Sequence, residues 1–118
     1  MEKSWVRPGT HISAMGADTK GKQELDPLLV AGAALFVDEA AQAITIGECQ
    51  HAYGAGLITG ESFRGSIGEV IAGLCDGRRT AGEITLFDGT GVALQDLVVA
   101  ELAVRLATQR GGCSVVDY

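Results

Sequence analysis

Residues Pro8 to Leu25 read PGTHISAMGADTKGKQEL, an alternating apolar strand that runs into a glycine-rich loop carrying an acid and a lysine. The alternation through His11, Ile12, Ser13, Ala14 and Met15 predicts a short strand from Thr10 to Gly16. Gly16 and Gly21 allow backbone turns and close approaches that a side chain would block. Asp18 and Lys22 then fall just past a strand's carboxyl end, the edge at which open α/β sheets bind their ligands.

Outward from this stretch the chain alternates strand and helix signals. Asp26-Pro27 opens a short helix, with an N-cap acceptor followed by a fixed φ. Ala34 to Asp38 (ALFVD) is continuously apolar, as a parallel strand covered on both faces should be, and Asp38 ends at the same ligand edge. Residues 39–53 are helical in pattern, with Ile44-Thr45-Ile46-Gly47 able to divide them. Ser66 to Cys75 predicts a helix with a Ser66/Glu69 capping box and a stop at Gly77. Glu83 to Asp88 (EITLFD) is the third strand. Gly91 to Arg110 is the longest helix, about 30 Å if continuous. Its polar strip is Glu101, Arg105 and Thr108. Leu97, Val99, Ala100, Ala103, Val104, Leu106 and Ala107 cover most of the rest, so contacts on more than one side are expected. Cys113 to Val116 (CSVV) is a candidate terminal strand. The order predicts an α/β fold in three layers: a partial Rossmann-like parallel sheet of three strands with a long C-terminal helix, residues 1–118 forming a single domain.

The 118 residues are 47% hydrophobic and 20% charged, without repeats or low-complexity runs, which suits a globular core. A net charge of −6 opposes nucleic-acid binding, and no basic face offsets it. The apolar runs fall short of the roughly 20 residues that span a bilayer, and Met1-Glu2-Lys3-Ser4 does not begin a secretory signal, so a cytoplasmic protein without membrane contact is expected. Cys49, Cys75 and Cys113 form no C-x-x-C pair and read as reduced thiols. His11 and His51 do not make a metal site with them, and no metal is expected.

Read together, PGTHISAMGADTKGKQEL, FVDEAAQAITIGE (Phe36 to Glu48), GEVIAGLCDGR (Gly68 to Arg78) and EITLFDGTGVALQD (Glu83 to Asp96) resemble the ornithine cyclodeaminase/mu-crystallin family, whose members bind NAD(H) or NADP(H). The motifs follow the family's order and cover nearly the whole chain. The resemblance is to the second half of the family's NAD(P)-binding Rossmann domain and the helix after it. The G-x-G-x-x-G fingerprint that seats the pyrophosphate is not in this sequence, nor is the family's substrate-binding domain. The resemblance thus implies a truncated NAD(P)-domain relative, self-associating and without complete catalytic machinery. Its alternatives are a component of a split NAD(P)-dependent cyclodeaminase or amino-acid dehydrogenase, and a structural oligomer retaining family remnants. NAD or NADP binding by this chain alone is expected to be weak or absent.

The same resemblance implies roles for individual residues. Asp18 matches the acid assigned to proton transfer at the substrate, and partial desolvation by a nicotinamide ring would raise its pKa towards a useful range. The plain alternative is that Asp18 caps the glycine-rich turn. Lys22 matches a lysine placed near the cofactor, where an ammonium answers a phosphate or a ribose hydroxyl; otherwise it is a solvated surface lysine. His11 lies where the family lines its nicotinamide pocket, although a histidine within a strand more often packs and hydrogen-bonds in the core. Gly89, Thr90 and Gly91 match the loop that passes over the nicotinamide and touches substrate. Gly89 stands where many members carry serine, and a strand-to-helix turn needs glycine in any case. Asp88 and Asp96 are explained more simply as helix-capping or dipole-compensating acids. Cys49 and His51 form no credible catalytic pair.

A half-domain leaves apolar side chains without their usual cover. Four exposed Leu, Ile or Val side chains forgo roughly 6–12 kcal/mol of burial, comparable to the roughly 5–15 kcal/mol that stabilises a whole domain. The expectation is a homo-oligomer formed through the long helix 91–110 or the exposed sheet edge, or a missing partner chain that covers them.

Overall fold

The apolar runs around Ile12, Leu35 and Leu86 lie side by side in a computed structural model that describes residues 1–112, 114 and 116. They belong to a parallel sheet of strands β1 (His11–Ala14), β2 (Ala34–Val37), β3 (Phe63–Ser66) and β4 (Thr85–Asp88), in the spatial order β1-β4-β2-β3. The α/β class, the parallel sheet and the long final helix are as expected. The count of three strands is corrected to four. FRGS carries neither an apolar run nor clean alternation, and all four of its residues are only half-buried, as befits a sheet edge. The expected CSVV strand lies outside the described residues, since Cys113 and Val115 are not among them.

One sheet face holds the core. Ile12 and Ala14, Leu86, and Leu35 and Val37 point to the same side and pack with Leu29 and Val30 of α1 (Pro27–Ala31), Ala43 of α2 (Ala40–Ala43) and Ala52 of α3 (Gln50–Gly54). Asp26 starts α1 as expected, its carboxylate accepting the Leu28 N–H at 2.9 Å ahead of Pro27. The Ile44–Gly47 stretch does divide the second helical region, giving α2 and α3 in place of one helix. The other face carries α4 (Ile67–Ile71). There His11, Ser13, Phe36, Thr85, Phe87 and Val70 line a groove of about 500 Å³. Helix α4 opens with the expected reciprocal Ser66/Glu69 capping box but ends at Ile71, and Gly73, not Gly77, follows its cap.

The final helix α5 (Ala93–Arg110) stands apart from this body. At 18 residues it is about 27 Å long, and none of its residues is buried. The radius of gyration, 17.6 Å, exceeds the roughly 13–14 Å of a compact domain this size. The envelope measures 54 × 31 × 26 Å.

Candidate functional site

The register of the sheet gathers three chain segments at one edge. Ala14, Asp88 and Val37 are neighbours across β1, β4 and β2, so Met15, Gly89 and Asp38 leave the sheet together. The Gly89 N–H donates to the Ala14 carbonyl at 2.9 Å. Asp38 ties the turn after β4 to the end of β2: its carboxylate accepts the Gly91 N–H at 2.7 Å, the Glu39 N–H at 2.8 Å and the Thr90 hydroxyl at 3.1 Å. The Thr90 hydroxyl also lies 2.8 Å from Gln42 Oε1. One proton does not satisfy two acceptors fully, and exchanging the Gln42 amide oxygen and nitrogen lets Gln42 donate to Thr90 while Thr90 donates to Asp38. A Cβ at Gly89 would meet Met15 Sδ at 2.5 Å and the Phe87 ring at 2.9 Å, so Met15 occupies the space a serine would need.

Asp18 and Lys22 sit in the loop that follows β1. Lys22 Nζ donates to Asp18 Oδ1 at 2.6 Å, and the Thr19 hydroxyl reaches the same oxygen at 3.1 Å. These contacts, Lys22 first, hold the Asp18 carboxyl below its ordinary value. The sequence argument tied a raised value to desolvation by a bound nicotinamide ring; in the chain alone the two side chains are 57% and 52% exposed, and the Lys22 and Thr19 contacts outweigh the small desolvation that opposes them. Asp18 is therefore an ionised acceptor at neutral pH, with the Lys22 charge already answered.

His11 stands elsewhere. It is the first residue of β1, at the opposite end from Ala14, and its Nδ1 lies 2.8 Å from Thr85 Oγ1 with Nε2 3.3 Å from the Ser13 hydroxyl. The structure brings Gly89, Thr90 and Gly91 to the edge where the Asp18–Lys22 loop begins, and places His11 at the other end of the strand.

Sequence reasoning missed the residues that hold this edge in place. Asp88 is fully buried and accepts the N–H groups of Glu48 and Cys49 at 3.0 and 2.9 Å, so it serves the start of α3, whereas Asp96 lies in the first turn of α5. Glu48, also buried, accepts the Glu24 and Leu25 N–H groups, the latter at 2.7 Å. Burial pushes both carboxyls up from their ordinary values while the N–H donors pull the other way. Burial likewise raises the Cys49 thiol, which faces Asp88, while His51 faces the Lys22 carbonyl, so the two make no pair. A lone acid inside ITIGECQHA gives no periodic signal that it is buried and bonded to backbone. Only Gly47, packed against Asp88, hints at the crowding.

Residues 1–109 match the Ornithine cyclodeaminase/mu-crystallin family. The chain belongs to that family. It is 58% identical over 112 residues to an iminosuccinate reductase of Paracoccus denitrificans, covering 95% of this chain and 34% of that protein. Over 118 residues it is 44% identical to an alanine dehydrogenase of Archaeoglobus fulgidus, covering all of this chain and 37% of that one. The crystal structure of the Paracoccus denitrificans iminosuccinate reductase in complex with NAD+ superposes with a TM-score of 0.92, at 54% identity over 99% of this chain and 36% of that one. A Thermococcus litoralis Δ(1)-pyrroline-2-carboxylate reductase in complex with NADH and L-proline gives 0.91, at 30% identity over 98% and 36%. This ornithine cyclodeaminase/mu-crystallin member thus spans about a third of the length of the relatives it matches. Among its described residues no helix is long and apolar enough to cross a membrane.

Proposed function

We propose that these 118 residues form the nicotinamide-side half of an NAD(P)-binding domain, a self-associating binding module that touches the cofactor weakly and runs no catalytic cycle unaided. The observation that carries this is the convergence of the Asp18–Lys22 loop, Asp38 and the Gly89–Gly91 turn at the carboxyl edge of one parallel sheet. That is the edge at which α/β sheets bind ligands.

The residues fit the nicotinamide end. When bound, NAD or NADP supplies hydride transfer. Asp18, ionised and exposed, accepts a hydrogen bond or proton from substrate; Lys22 keeps further N–H donors for a ribose hydroxyl or phosphate; Thr90 and Gly91 present a hydroxyl and backbone to substrate. His11 packs against Thr85 and supports the sheet from below. The pyrophosphate is not served in the same way, because among the described residues no glycine-rich strand-to-helix turn offers a row of free N–H groups. The relatives' names point to 2-imino and 2-amino acids as the substrate class, and the free thiols of Cys49 and Cys75 suit a cytoplasmic, reducing setting.

Self-association rests on the exposed surface. Leu94, Leu97, Val99 and Val104 of α5 are each about two-thirds exposed, and the edge strand β1 contains no charged residue or proline to discourage pairing. The second reading is a split enzyme, in which another polypeptide covers the same surfaces and supplies the phosphate cradle. Titrating NADH and NADPH into the purified chain while following nicotinamide fluorescence tests the module. A weak saturable enhancement that falls in Lys22→Ala, with the fold retained, supports it; no change at millimolar cofactor removes it.

A further inference from the structure

The loop carrying Asp18 and Lys22 is gripped from α3. Gln50, the first residue of that helix, accepts the Gly21 N–H on Oε1 at 2.7 Å. Its Nε2 faces the carbonyls of Lys22 at 3.2 Å and Thr19 at 3.4 Å, as well as those of Gly47 and Ile46 within its own segment. Next to it, His51 Nε2 lies 3.0 Å from the Lys22 carbonyl, a bond that requires the ring proton on that nitrogen. The grip is anchored in turn. Glu48 holds the 24–25 backbone, and Asp88 holds the 48–49 backbone to the end of β4. The connection from sheet to loop is thus continuous through the segment GECQH, residues 47–51.

An exposed lysine–carboxylate pair is weakly coupled on its own, because both long side chains must give up freedom in high-dielectric surroundings. The 2.6 Å contact between Lys22 and Asp18 persists only if the turn between them keeps its shape. We propose that Gln50, assisted by His51, is a positioning residue that fixes the Thr19–Lys22 turn and so sets the Asp18–Lys22 pair at the cofactor edge. Its relevance to catalysis rests on the proposed function above; the positioning itself does not. Gln50 has no place in the core cluster.

The test uses the full chain with Gln50→Ala and Gln50→Glu. In Q50A the Gly21 amide loses its acceptor and exchanges with solvent about tenfold faster. The Asp18 carboxyl, followed by carbon NMR, titrates closer to its ordinary value, while the thermal midpoint stays near wild type because the Glu48 and Asp88 clasps remain. Q50E retains an acceptor for the Gly21 N–H and restores its protection, a rescue that a merely packing role would not give. Unchanged Gly21 exchange and an unchanged Asp18 midpoint in Q50A would overturn the proposal. If Q50A does not fold, loss of Gly21 protection in Q50E overturns it equally. Failure of wild type to bind NADH sinks the proposed function while leaving these two readouts to decide the role of Gln50.

Discussion

Gly47 has no room for a side chain. A Cβ there would lie 2.6 Å from Asp88 Oδ2, 2.7 Å from the Ala43 Cα and 2.8 Å from Thr90 Cγ2, and the first two are fixed by buried hydrogen bonds and backbone. Gly47→Ala should therefore cost about 1–3 kcal/mol of stability by overpacking, measured as a lower urea midpoint with an unchanged slope. The neighbouring acids were hidden in the sequence for a physical reason. Whether Glu48 is a solvated helix residue or a buried acceptor of backbone N–H groups depends on a loop 23 residues away, and no periodicity records that. Asp18 and Lys22 were legible as loop residues from their glycines, but their direct pairing at 2.6 Å was not, since it depends on the shape of the turn between them. Lys22→Ala should raise the Asp18 titration midpoint in carbon NMR, because the largest cause of its depression is removed.

Among the elements, those built from apolar runs and caps were readable: β1, β2 and β4, the Asp26-Pro27 start of α1, and the Ser66/Glu69 box of α4. β3 was not. Its four residues FRGS earn a place in the sheet through a tertiary contact, with the Arg64 guanidinium paired to Glu83 and lying 5.6 Å over the Phe36 ring. Arg64 and the Arg79 N–H hold the Glu83 carboxyl at about 2, below its ordinary 4.5. A depressed folded-state pKa stabilises the fold above pH 4.5 and is lost as the pH falls towards 2. Glu83→Gln should accordingly be less stable than wild type at pH 7, with the difference shrinking between pH 4.5 and 2 when urea midpoints are compared across that range. The raised carboxyls of Glu48 and Asp88 have the opposite sign and are common to both proteins, so the difference isolates the Glu83 carboxylate with its Arg64 and Arg79 contacts.

At the scale of the whole molecule, the wide apolar surface of α5 was legible from its sequence, and its want of cover within the chain follows from the fold. Seven large apolar residues of that helix, from Leu94 to Leu106, are more than a third exposed. Burying four of them would contribute about 6–12 kcal/mol before the costs of association. Leu97 and Val104 are two turns apart and 65% and 67% exposed in the protomer, so Leu97→Lys with Val104→Lys should weaken association while leaving the fold, read by circular dichroism, unchanged. Sedimentation velocity of the wild-type chain at micromolar concentration tests the incomplete-surface account most directly. The account predicts a species larger than the 12.2 kDa protomer whose share grows with concentration; a single protomer-sized boundary, independent of concentration, would contradict it.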